Sequence, residues 1–280
     1  MSIKKISTDQ LLRLFNRHAE RLTYSNLKTS KEYGGWTSDF GITFQDDGKI
    51  ALNLDKSPKQ SNDRFLLFVL AVAWSRTGQW ENAAYFVSYL IKKGNPWNTP
   101  EYWKVAKNRA IELNSKKINA QETQEAAKMK SKKFDSVERK APRKNIAFRE
   151  DIFESIGVLA EHWGKIESRL QQLRGEKDPE TWKTFMGYIR EIEGLGVGKN
   201  RIYMKIPLIL RELRCQGWTE IPGEFCCVVD ARVLDACADI DIDLSRHGNT
   251  IDHLISNSSK VYEKFRNLYD IPLFAYEDMK

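Results

Sequence analysis

Asp230 stands where two kinds of sequence meet. The run Phe225 to Val229 before it is wholly apolar or thiol-bearing, and Ala231-Arg232-Val233-Leu234 after it opens a helical pattern. A carboxylate placed there is an N-cap with restricted motion and partial burial. It either serves only as that cap or presents a fixed negative charge to a reacting group. Upstream, Gly194, Gly196 and Gly198 alternate with Leu195 and Val197, between a helical pattern that ends near Glu193 and another that follows at once. Glycine permits positive φ and close backbone approach, and a helix start leaves backbone N–H groups pointing outward. Together these features make a compact anion site suited to a DNA phosphate, or they simply tighten a helical hairpin. Lys199, Arg201 and Lys205 add positive charge nearby. A nucleotide P-loop is not matched, because Lys199 is followed by Asn200 and no strand precedes the glycines.

The elements that must position these residues are mostly helical. Thr8 or Asp9 is placed to cap an opening helix with Leu11, Leu12, Leu14, Phe15 and Leu22 as apolar positions. Between Lys31 and Lys59 the turn signals Gly34-Gly35, Gly41 and Asp46-Asp47-Gly48 break the pattern, and the short ITF and IALNL pieces suit a small hairpin. Phe65 to Ser75 is nearly all apolar, as expected of a helix buried on most sides. Gly78 permits a break, Glu81 to Lys92 reads as a further helix, and Pro100 is placed to start the next. Ile152 to Leu173 carries apolar residues at three- and four-residue steps, Asp178-Pro179 opens a helix running to Ile192, and Lys205 to Leu213 is again helical.

Ser115 to Asn145 differs in kind. Ten Lys or Arg against four Asp or Glu give it a surplus of six, nearly all of the chain's formal charge of +7. It reads as a solvated helix and linker or as a nucleic-acid-contacting arm. The expected organisation is therefore residues 1–114 as a mostly helical subdomain with a small hairpin, 115–145 as the basic linker or arm, and 146–280 as a second helical subdomain. The terminal helices are free to pack back on the first.

Composition removes several classes. At 280 residues, 41% apolar and 11% aromatic, the chain can bury a sizeable core and is not a disordered tract. Its longest apolar stretch, Phe65 to Trp74, is about half of a membrane span. The first residues lack an apolar run long enough for export. Cys215, Cys226, Cys227 and Cys237 contain no C-x2-C pair, and His18, His162, His247 and His253 form no ligand grouping. Neither a structural zinc site nor an iron–sulfur cluster is expected. Asp239, Asp241 and Asp243 alternate in a manner that raises a divalent-metal nuclease, but they read better as a helix end and polar loop. A cytoplasmic, reduced, monomeric protein without a membrane partner is expected.

From Tyr188 to Ala236, about a sixth of the chain, the residues resemble a known family. Gly196-Val197-Gly198 followed by a helix, then Val229-Asp230-Ala231-Arg232-Val233 some thirty residues on, is similar to the helix-hairpin-helix DNA glycosylases. The spacing before Asp230 and the apolar segment Phe65 to Phe86 look more like the archaeal 8-oxoguanine branch than the endonuclease III branch, whose four-cysteine motif is absent. The resemblance implies a mainly α fold of two helical subdomains with an active-site cleft between them. It also implies double-stranded DNA carrying a modified base as the partner, met in the nucleoid.

Residue by residue, the resemblance assigns Gly194, Gly196, Val197, Gly198, Asn200 and Arg201 to the DNA backbone. A monovalent cation, K+ or Na+, would sit on carbonyls near Gly194 and Gly196, and no divalent metal is required. Asp230 would stabilise the cation that develops on the sugar as the base leaves, or activate water. Family members with lyase activity carry G-V-G-x-Lys; here Asn200 occupies that position and Lys199 stands one residue early. Lys199 as an imine-forming nucleophile, Lys205 in its place, and a monofunctional enzyme with no catalytic lysine remain three readings. For the everted base, which needs stacking surfaces, Trp80, Glu81, Trp74 and Lys205 are candidates. The substrate is expected to be 8-oxoguanine or, alternatively, a hypermodified cytosine of phage DNA, which would make the protein antiviral. A non-enzymatic helix-hairpin-helix DNA-binding module is the other alternative.

Overall fold

A computed structural model describes residues 5–18, 42–44, 50–52, 61–77, 87, 90, 94–108, 150–195, 206–215, 218, 220–246 and 250–279. Its longer helices are α1 (Thr8–His18), α2 (Ser61–Thr77), α3 (Pro100–Asn108), α4 (Glu150–Gln172), α5 (Pro179–Glu191), α6 (Ile206–Cys215), α7 (Ala231–Asp239) and α8 (Ile251–Phe265). Two short helices follow, α9 (Ile271–Phe274) and α10 (Tyr276–Met279). Strands β1 (Ile42–Phe44) and β2 (Ile50–Leu52) pair antiparallel, with Ile42 opposite Leu52 and Phe44 opposite Ile50. The fold is thus mainly α-helical, and the small expected hairpin is present as this ladder. Residues 115–145, the basic stretch, lie outside the described residues.

Helix α2 is central because its sequence gives it no polar face. Every residue from Phe65 to Ala73 is buried, with α4 packed on one side and α6 on another. Its first turn is fastened by polar groups. Ser61 Oγ accepts from Trp163 Nε1 at 2.9 Å, and Arg64 Nε donates to both Glu167 carboxylate oxygens at 3.1 Å. The Trp163 indole meets Phe65 and Phe68 edge-on, each at 5.4 Å between ring centres. Helix α3 covers another face of α4, with Trp103 stacked on Phe153 at 5.9 Å.

The helix starts show which capping signals act. Asp178 caps α5 by accepting from Glu180 N–H, with Pro179 at the first helical position. Helix α1 is capped by neither Thr8 nor Asp9. Ser7 Oγ accepts from Gln10 N–H at 3.2 Å while Gln10 Oε1 accepts from Ser7 N–H at 2.8 Å, a reciprocal capping box that only the Ser7/Gln10 spacing can form.

The far ends of the described chain meet. Ile6 forms a parallel bridge with Ile240: Ile6 N–H donates to Asp239 C=O at 2.9 Å, and Asp241 N–H to Ile6 C=O at 3.3 Å. Helix α1 then lies against α9 and α10, with Leu11 and Phe15 in the core. Among the described residues, no helix is long and apolar enough to cross a membrane.

Candidate functional site

Asp230 is the N-cap of α7, as its sequence context predicts. Its backbone is extended (φ −93°, ψ −176°), and its Oδ1 accepts from Arg232 N–H at 3.1 Å and Val233 N–H at 3.3 Å. The Asp230 carbonyl accepts from Leu234 N–H at 3.0 Å. The carboxylate is half-buried at the start of a helix. Behind it, Val233, Ala236 and Cys237 anchor α7 in the core, and the Arg232 guanidinium lies 4.3 Å from the Phe274 ring centre on α9.

The chain feeding Asp230 is held as firmly as the helix leaving it. Gly223 to Phe225 form a 3₁₀ turn packed on α8. A Cβ at Gly223 would come within 2.0–2.3 Å of three Tyr262 ring carbons, so the close approach requires glycine. Near that ring lie Arg214, whose Nη2 donates to the Tyr262 hydroxyl at 3.1 Å, and Arg266. Phe225 to Val229 are all buried. Two of their amides find side-chain acceptors: Cys227 N–H donates to Ser258 Oγ at 3.1 Å and Val228 N–H to Asp270 Oδ1 at 2.9 Å. Buried amides need such partners because water cannot reach them.

Asp270 and Arg211 escaped the sequence reading. Arg211 Nη1 donates to Asp270 Oδ1 at 2.7 Å, and the two side chains are 3% and 1% exposed. Burial pushes the Asp270 carboxyl above its ordinary range. Arg211 and the Val228 N–H pull it back, and the nearby Asp230 charge pushes it further up. No local spacing could have revealed a partnership across so much chain. Asp270 before Ile271-Pro272 looks only like a helix start, and Arg211 sits in an ordinary amphipathic pattern.

Thiol chemistry is not set up at this junction. Cys226, Cys227 and Cys237 are buried free cysteines. Burial raises the Cys227 thiol well above its usual value, and the Cys237 thiol is pushed up to about 12. Both stay protonated and poorly nucleophilic at neutral pH. Asp239 ends α7, and Asp241 and Asp243 follow in a loop. Among the described residues, no group of three or more His, Cys, Asp or Glu could hold a metal ion.

At the glycine segment, α5 ends at Glu191 and Gly194 takes φ +78°, with Val158 of α4 3.2 Å from where its Cβ would stand. Leu195 then turns into the core, and α6 begins at Ile206. Gly196, Val197, Gly198, Lys199, Asn200, Arg201 and Lys205 lie outside the described residues. So do Trp80 and Glu81, while Trp74 falls on α2. Of the sequence-predicted site residues, Asp230 and Gly194 are therefore those whose surroundings are described.

No protein-family model, curated protein or solved structure significantly matches the chain.

Proposed function

We propose that the protein is a DNA N-glycosylase that everts a modified base and cleaves its N-glycosidic bond. The observation that carries this reading is the setting of Asp230: a half-buried carboxylate fixed by two amides at a helix start, with its flanking backbone anchored on both sides. As the bond from C1′ to the base nitrogen breaks, its electron pair leaves with the base and positive charge grows on the sugar. A carboxylate held in place stabilises that charge without reorganising during the reaction, or takes a proton from the water that adds to C1′. The helix-turn glycine at Gly194 and the basic residues after it would hold the DNA backbone. Lys199, if it reaches C1′, would attack there through its amine and form an imine that leads on to strand cleavage.

The substrate class follows from base release measured by mass spectrometry. The protein and its Asp230→Asn variant are incubated with unmodified DNA, DNA containing 8-oxoguanine, and phage DNA containing hydroxymethylated or glycosylated cytosine. Half of each sample is then treated with alkali. Asparagine caps helices as well as aspartate does, so the variant should fold normally yet lose on the order of 10²-fold or more in release rate. Breaks that need alkali would mean a monofunctional enzyme, and a borohydride-trapped adduct without alkali would assign lyase activity to a lysine. Salt-dependent DNA binding with no base released, equal in both proteins, would favour a binding module in which Asp230 is only a cap.

A further inference from the structure

We infer that Asp270 is a positioning residue for Asp230, working through the backbone of Val228. The inference rests on reading Asp230 as the reacting carboxylate. One oxygen, Asp270 Oδ1, accepts from both Val228 N–H (2.9 Å) and Arg211 Nη1 (2.7 Å). Val228 lies two residues before Asp230, inside a buried segment that Ser258 also anchors, at Cys227. Arg211 belongs to α6, the helix that follows the glycine segment. Asp270 itself stands at the start of α9, which packs on α7. A single buried oxygen thus joins the helix after the glycines, the chain entering Asp230, and the element that supports the helix leaving it.

That arrangement is costly unless it fixes geometry. Burying a carboxylate and a guanidinium is offset by their attraction only when hydrogen bonds are well made, and apolar residues often serve stability as well. What an apolar pair could not supply is the acceptor for Val228 N–H. Losing it would leave a buried amide unpaired and release the backbone just before the carboxylate. In a site that works by preorganisation, small displacements of a charged group lower the rate without weakening binding.

The test compares two double variants that both remove the buried charges, Asp270→Asn/Arg211→Met and Asp270→Ala/Arg211→Met. Only the first keeps an acceptor oxygen for Val228. Residue-resolved amide hydrogen exchange is read at Val228 and at Arg232 and Val233, whose N–H groups bond to Asp230. In the alanine variant these three should exchange about tenfold or more faster than in the asparagine variant, as for one lost hydrogen bond. Amides of α4 should exchange alike in both. Equal exchange at Arg232 and Val233 in the two variants overturns the proposal. So does failure of both to fold, since the pair would then support the fold as a whole. On 8-oxoguanine or modified-cytosine DNA, the single-turnover release rate should fall in the alanine variant and recover in the asparagine variant, with DNA affinity the same in both. A wild-type protein that releases no base sinks the glycosylase reading, while the exchange result still decides whether Asp270 positions Asp230.

Discussion

Arg64 and Arg211 each cross a long stretch of chain to reach a carboxylate, Glu167 and Asp270 respectively. Their surroundings differ. Glu167 is 16% exposed and also accepts from Gln171 Nε2 at 2.8 Å, one turn along the same helix. That pair fastens α2 to α4, where Phe65, Phe68 and Trp163 already supply close apolar packing. Asp270 is 1% exposed, and its acceptor oxygen is shared with the backbone that leads into Asp230. The first pair assists a contact that apolar side chains largely make. The second organises a region where the chain changes from buried coil to helix and leaves amides to satisfy.

Removing one partner from each pair should make this contrast measurable. Asp270→Ala takes the carboxylate from a buried guanidinium and the acceptor from a buried amide, and should cost about 3–5 kcal/mol in urea unfolding. Glu167→Ala should cost about 1–2 kcal/mol less, because water can reach the guanidinium's former partner position. Equal losses would mean that the two pairs do the same work. Alkali probes the Asp230 side separately through Cys237 on α7. A thiol whose value rises from 9.0 to about 12 on folding holds its proton longer in the folded state. The stability this contributes is whole below pH 9 and is lost as pH rises toward 12, at about 1.4 kcal/mol per pH unit. Cys237→Ala should therefore show a shallower decline in unfolding free energy between pH 9 and 11 than the wild type. On the α4 side the smallest effect belongs to Gly194→Ala. With φ at +78° and Val158 close by, the substitution should cost about 1–2 kcal/mol in thermal or urea unfolding.

Much of the frame is legible in the sequence. An unbroken apolar run gave away α2, Asp178-Pro179 marked the start of α5, and ITF with IAL marked the ladder. The Asp230 cap was equally plain, because an apolar run stopped at a carboxylate and helical spacing began. These are local patterns, settled within a few residues. The cap of α1 was misplaced because Ser7, Thr8 and Asp9 are all good caps in succession; Gln10, three residues after Ser7, decides among them. The anchoring of Asp230 was not legible at all. Arg211, Val228 and Asp270 come from three separate segments, and nothing in the pattern around any one of them points to the other two. Of the sequence-derived site, Asp230 and the turn at Gly194 are placed by the structure, and their joint use on DNA remains the proposal to be tested.

The seam between Ile6 and Ile240 bears on how such a molecule is made. On a ribosome, the strip around Ile6 emerges well before Ile240 and has no mate until Ile240 has left the exit tunnel. Closing so large a loop is entropically expensive and slow. The strip thus has to wait for residues made more than two hundred positions later, and it pairs at the far end of the helix that Asp230 begins.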